Sequence, residues 1–226
     1  SPNQEPNTDF EKVLRKNKIQ PIVPLLDKYN TILDVGCGSG DVFKNIGIPR
    51  YTSMHAVEPD PILREKAEET LIYGKIFEHV EDTNPKNYSL VTLLGVLEHV
   101  DDDIEFLKSL RKFKEIYITV PNALSFHRLV GVEAGMLETP YTLTDNDLAI
   151  GHKRYYDQQS LKKTINTALP NFKIIESGTT TFKFGSNSQM AEVMKISHAY
   201  DKVAKNLNLC GENDYNGAEL YFKIKK

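Results

Sequence analysis

The chain has 226 residues, 40% of them hydrophobic and 26% charged, with a formal charge of -3. That is ordinary for a soluble protein and long enough to bury a substantial core. The slight acidity disfavours indiscriminate nucleic-acid binding. Two cysteines, Cys37 and Cys210, are too few for a disulfide framework or a thiolate metal cluster. No apolar run reaches the roughly 18 residues of a membrane span or forms a signal-peptide core, so a cytoplasmic location is the default expectation.

The start, Ser1-Pro2 without methionine, fits a trimmed chain, and residues 1–9 read as a polar loose arm. Phe10, Val13 and Leu14 recur at helical spacing, and Ile22, Val23, Leu25 and Leu26 continue an apolar face after Pro21. Together they predict an N-terminal helical cap over 1–30. Thr31 to Val35 is a short apolar strand, followed by glycines at 36, 38 and 40. Such a strand–glycine loop–helix unit brings backbone N–H groups close to a ligand. A dinucleotide fingerprint would want glycine at position 41, where the chain has Asp41. Residues 51–57 predict the second strand, ending at Glu58, with Pro59-Asp60-Pro61 opening a helix. In a doubly wound fold an acid there faces a ribose and can accept from both hydroxyls; its plainer role is to favour the following helix dipole.

Strands are predicted at 75–79, at the apolar run 88–94, and at 115–120 before Pro121-Asn122. Asp101-Asp102-Asp103 caps the helix between the last two. The rhythm then breaks, with a helix over 122–135, a polar loop over 136–150, and the stretch Gly151-His-Lys-Arg-Tyr-Tyr-Asp157. A helix at 158–168, a strand at 172–182, helical periodicity over 189–207 and a strand at 218–224 complete the chain. This alternation predicts an α/β fold over a single domain, 1–226. Its core is a mostly parallel sheet with helices on both faces. Segments 122–157 and 183–215 would be substrate-side insertions.

Asp34-Val-Gly-Cys-Gly-Ser-Gly40, Val57-Glu58-Pro59, Gly95-Val-Leu-Glu-His-Val100, Val120-Pro-Asn122 and Gly-His-x-Arg-Tyr-Tyr succeed one another in register. The series resembles the class I S-adenosylmethionine (AdoMet)-dependent methyltransferases. It is most similar to the branch of ubiquinone-pathway O-methyltransferases and sugar or natural-product enzymes. The resemblance covers about residues 28–182 and implies a Rossmann-like, doubly wound, seven-stranded sheet with the last strand antiparallel. It implies AdoMet as cofactor, with Asp34 organising the loop, Gly36, Cys37, Gly38 and Gly40 forming it, and Glu58 taking the ribose hydroxyls. It also implies Pro59 packing on adenine, Glu81 or Asp82 at the adenine edge, and Gly95 lining the methionine end. Cys37 reads as a small filler between glycines.

A sulfonium methyl is already activated, so alignment, potentially worth roughly 7–11 kcal/mol, outweighs a general base at about 3–5. The candidate bases are His152 and His99. His55, His79, His127 and His198 read as structural or exposed. Arg154, Tyr155 and Tyr156, beside Lys153, are candidates for holding an anionic or sugar substrate, with a solvated turn as the plainer alternative. Some relatives hold a divalent metal through Glu-x-x-Glu-His; Gly95 stands at the first glutamate, and Glu98 with His99 make a poor octahedral site, so no metal is expected. The expected partner is a small-molecule acceptor, methylated on oxygen in preference to nitrogen, with no nucleic acid and no membrane span; monomer and homodimer stay open. A silent AdoMet-binding protein and a dinucleotide oxidoreductase are the rival readings.

Overall fold

In a computed structural model, residues 9–226 are described; the polar arm expected over 1–9 lies almost wholly outside them. The first half of the sheet is β1 (Thr31–Val35), β2 (Ser53–Val57), β3 (Lys75–Phe77), β4 (Leu90–Leu94) and β5 (Glu115–Pro121). The second half is β6 (Lys173–Thr180), β7 (Cys210–Glu212), β8 (Asp214–Tyr215) and β9 (Glu219–Lys225). The strand order is β3-β2-β1-β4-β5-β9-β6-β7-β8, with β1 to β5 parallel and β9 running antiparallel to both its neighbours. All seven expected strands form. The sheet has nine because Cys210–Tyr215 adds a short hairpin on β6, with segments too brief to show a period of two.

The chain runs outward from β1 to β3, then returns to place β4 on the other side of β1. That reversal opens a crevice at the carboxyl ends of β1 and β4, where open α/β sheets bind ligands. Alternation along the strands fills both faces. Leu33, Val35, Val91 and Leu93 enter one core with Leu107, Leu161 and Phe222. Ile32, Leu90 and Leu94 enter the other with Ile22, Leu26, Phe43 and Tyr117. Each such side chain contributes about 1.5–3 kcal/mol on full burial, so both layers hold the strand ends rigidly.

The helices are α1 (Asp9–Asn17), α2 (Asp41–Lys44), α3 (Pro61–Glu69), α4 (Asp103–Ser109) and α5 (Phe126–Glu133), then α6 (Asp145–Ala149), α7 (Gln158–Ala168), α8 (Asn187–Glu192) and α9 (Met194–Asn206). Asp60 caps α3 by accepting the Ile62 and Leu63 N–H groups, with Pro61 in the first turn. The triple acid does more than cap α4. Asp102 accepts the Glu105 N–H, Asp101 pairs with Lys153, and Asp103 accepts the Tyr156 hydroxyl. The polar loop expected over 136–150 contains α6, whose capping box joins Thr144 and Asp147. No helix among the described residues is long and apolar enough to cross a membrane.

Candidate active site

The glycine loop leaves β1 with Gly36 and Gly38 in the left-handed region, φ +74° and +58°. A Cβ on Gly36 would stand 2.8 Å from Val96 Cγ2, whereas one on Gly38 would meet nothing within 4 Å. Gly36 therefore permits close packing, and Gly38 leaves its space open. Glu58, 2% exposed at the end of β2, accepts the Gly38 N–H at 2.8 Å on Oε2 and the Asp60 N–H at 3.0 Å on Oε1. One carboxylate thus ties the loop to the start of α3. Asp34 lies beneath the loop, accepting the Thr92 hydroxyl at 2.8 Å and the Tyr73 hydroxyl at 2.7 Å. Burial raises its pKa to about 6 against the pull of those two bonds. Burial also pushes the Cys37 thiol far up, reinforced by Asp34 and Glu58, so it stays protonated and unreactive.

Above the loop opens a cavity of about 1380 Å³, larger than the roughly 300–1,000 Å³ of a single-ligand pocket. It has room for a cofactor and an acceptor together. Its walls at one end include Gly36, Cys37, Gly38, Glu58, Pro59 and Glu81, and Gly95 borders the middle. Three expected cofactor residues stand back from it. Asp34 spends both oxygens on Thr92 and Tyr73, Gly40 packs under Tyr73 and Thr70, and Asp82 accepts the His79 N–H.

The other end gathers His99, His152 and Tyr155. The two imidazole rings lie 4.8 Å apart, edge to face. His152 Nδ1 stands 3.2 Å from Asp147 Oδ1, at ion-pair distance but off the alignment of a full hydrogen bond. Asp147 also accepts from Tyr155, and from the Thr144 amide and hydroxyl. Burial alone would raise its pKa, but His152 and these donors outweigh burial and hold it well below the usual carboxylate range. Burial, then the neighbouring His152, lowers His99 to about 3, so it is neutral at pH 7.

Arg154 and Tyr156 point elsewhere. The Arg154 guanidinium donates to the Leu97, Val100 and Asp101 carbonyls, fastening the turn before α4. Tyr156 is buried with its hydroxyl on Asp103. Of the expected substrate trio, the fold brings only Tyr155 to the cavity, where the Arg128 guanidinium stacks 3.8 Å over its ring.

Residues without a motif complete this end. Lys18 follows α1, Lys183 follows β6, and Glu219 opens β9; all three line the cavity. Burial lowers the Lys183 pKa to about 8, and its ammonium donates to Asn187 Oδ1. His127, expected to be structural or exposed, is a cavity-lining residue hydrogen-bonded to Ser125. Burial, with Lys183 and Arg128 adding to it, drops its pKa to about 2. Glu98, 2% exposed, has its pKa raised to about 7 by burial, which Lys18 and His152 oppose. Glu98, His99 and His152 each offer a donor atom, all within 4.8 Å of one another. Three donors of this kind suit zinc better than octahedral magnesium, and the Lys18 ammonium borders the same space.

A large cavity at the sheet's switch point, with a glycine loop tied to the buried carboxylate that ends β2, is the arrangement in which open α/β folds bind nucleotide-type cofactors. Residues 10–176 match the family described as "Methyltransferase domain", and the chain belongs to that family. Its cofactor is AdoMet, and the open space over Gly38 beside Glu58 fits it. Among solved structures, it is similar to an AdoMet-dependent methyltransferase from Thermotoga maritima described as a possible histamine N-methyltransferase. Identity is 16% and the TM-score 0.64, over 96% of this chain and 91% of that one. A second, from Archaeoglobus fulgidus, is 19% identical with a TM-score of 0.57, covering 95% and 94%. A plantazolicin methyltransferase complexed with S-adenosylhomocysteine (SAH) is 13% identical with a TM-score of 0.59, covering 96% and 87%. No curated protein matches the sequence.

Proposed function

We propose that the protein transfers the AdoMet methyl group to a hydroxyl of a small molecule: a sugar, a phosphorylated metabolite or a natural-product intermediate. The observation that carries this reading is a large cavity with a glycine-loop floor at one end and two adjacent histidines at the other. When bound, AdoMet supplies an already activated sulfonium methyl. The Gly36–Gly38 loop, Glu58, Pro59, Glu81 and Gly95 would hold it, with Asp34 and Gly40 shaping the loop from below.

The chain's own part is to align the acceptor and remove its proton. His152 is the proposed base. Asp147 faces its Nδ1 and stabilises the imidazolium formed on proton uptake. His99, neutral and weakly basic, is suited to a positioning hydrogen bond rather than to proton removal. Tyr155 closes the side of the chamber.

Amine methylation is the second reading, favoured by two buried carboxylates, Glu98 and Glu219, at the acceptor end. One solved neighbour is described as determined in the presence of SAH and D-fucose, which fits the sugar reading. The test is an AdoMet-dependent screen of sugar nucleotides, phosphorylated metabolites, phenols and amines, read by mass gain and SAH release. Mass gain on hydroxyl compounds supports the proposal, gain on amines alone moves it to nitrogen, and AdoMet binding without turnover on any acceptor class leaves a silent binder. Titration with AdoMet and NAD separates the oxidoreductase rival, because tight NAD binding without AdoMet binding would sink the methyltransferase reading.

A further inference from the structure

The acceptor end contains a mixed-charge group that the reading above does not use. The Tyr117 hydroxyl, in the core of β5, donates to the Lys18 carbonyl at 2.6 Å and fixes that residue at the cavity wall. The Lys18 ammonium reaches over Gly95. A Cβ on Gly95 would stand 2.7 Å from Lys18 Nζ and 3.1 Å from Glu98 Oε1, so the absent side chain makes room for both. Glu219 Oε2 is 3.9 Å from the same ammonium, at ion-pair distance but beyond a hydrogen bond. Glu98 and Glu219 are 2% and 5% exposed, and in each Oε2 is buried with no hydrogen-bond partner.

Buried carboxylate oxygens without a hydrogen bond are costly, and an ammonium at 3.9 Å offsets this only in part for Glu219. A ligand that satisfies the ionised carboxylates must donate. The ammonium between them only donates, so it needs an acceptor. An alkylammonium would suit the two carboxylates but leave Lys18 facing a like charge. A phosphate or carboxylate would suit Lys18 but meet Glu98 and Glu219. A hydroxyl donates and accepts at once, and two neighbouring hydroxyls serve both carboxylates while their oxygens receive the ammonium.

We propose that Lys18, Glu98 and Glu219 form the acceptor subsite and recognise a pair of neighbouring hydroxyls, as on a polyol, in preference to an amine or a phosphate. This rests on the methyltransferase reading and narrows its acceptor.

Three probes of one skeleton test it: vicinal cyclohexanediol, cyclohexylamine and cyclohexyl phosphate, each titrated by ligand-observed NMR into the SAH-saturated full chain. The diol should bind best. Lys18→Met should weaken it about tenfold or more, the loss of one charge-assisted hydrogen bond, while SAH affinity stays within about twofold. Glu219→Gln should also weaken the diol, and stands in if Lys18→Met does not fold. Tighter binding of the amine or the phosphate, no binding of the diol, or a diol affinity indifferent to both substitutions would overturn the subsite. A wild-type chain that fails to bind SAH would instead defeat the methyltransferase reading itself.

Discussion

The two ends of the cavity treat their buried acids in opposite ways. At the cofactor end, Asp34 and Glu58 have every carboxylate oxygen hydrogen-bonded by the protein itself. At the acceptor end, Glu98 and Glu219 each leave an oxygen without a hydrogen bond, and His99 leaves both ring nitrogens so. A satisfied network rigidifies its site, whereas an unsatisfied one is costly and gains most when a small shift lets a ligand pair it. On the proposed reading the cofactor end is a preformed cradle, and the acceptor end is where selectivity would be exercised.

The difference can be broken at each end. The largest effect should come from His152→Ala. Loss of a general base lowers turnover by about 10²–10⁴-fold, and AdoMet affinity should hardly change because His152 lies outside the glycine loop. His99→Ala should cost less, since a neutral imidazole of low basicity contributes alignment only. If His99→Ala is the more damaging, the base is His99.

Next comes the stability stored against function at Glu98. Its folded pKa is raised to about 7 from 4.5, chiefly by burial. An acid with a raised folded pKa destabilises the native state above that value and contributes nothing below its unfolded one. Glu98→Gln should therefore stabilise the chain at pH 8 by up to about 3 kcal/mol, with the gain fading as pH falls toward 4.5. Urea unfolding at pH 8 and pH 5 measures it. A variant less stable at pH 8 than the wild type would show that Glu98 is held by partners rather than stranded.

Glu58→Ala should weaken SAH binding by about 1.5–3 kcal/mol net of rehydration, or roughly 10–150-fold. It should also lower the melting temperature, because the Gly38 and Asp60 N–H groups lose their acceptor. The smallest effect expected is that of chelation. Glu98, His99 and His152 sit within donor distance of one another, but the Lys18 ammonium already borders their space, so turnover should survive EDTA. Loss with EDTA and recovery with a divalent ion would move the three residues onto a metal.

The same division governs what the sequence makes legible. The cofactor end is built from contiguous runs: Thr31 to Val35 as a strand, glycines whose spacing needs left-handed backbone, and Glu58 closing the next strand. Local chemistry is enough to read those. At the acceptor end, position along the chain says little. Lys18, Lys183 and Glu219 come from three distant segments, and only the antiparallel insertion of β9 between β5 and β6 brings Glu219 to the cavity. Arg154 and Tyr156 have the residue types of a substrate clamp, yet the free carbonyls of Leu97, Val100 and Asp101 and the Asp103 carboxylate claim them. One signal was available: a lysine at the end of an amphipathic helix placed before the first strand can reach the sheet's carboxyl edge, but nothing in the spacing fixes where its ammonium goes.

Calorimetric titration of SAH into the wild type, Glu58→Ala and His152→Ala tests the separation of the two ends without any acceptor in hand. A preformed cradle independent of the acceptor chamber predicts one site per chain in the wild type, nearly the same affinity in His152→Ala, and a loss of at least about tenfold in Glu58→Ala. Equal losses in both variants, or an unchanged affinity in Glu58→Ala, would contradict it.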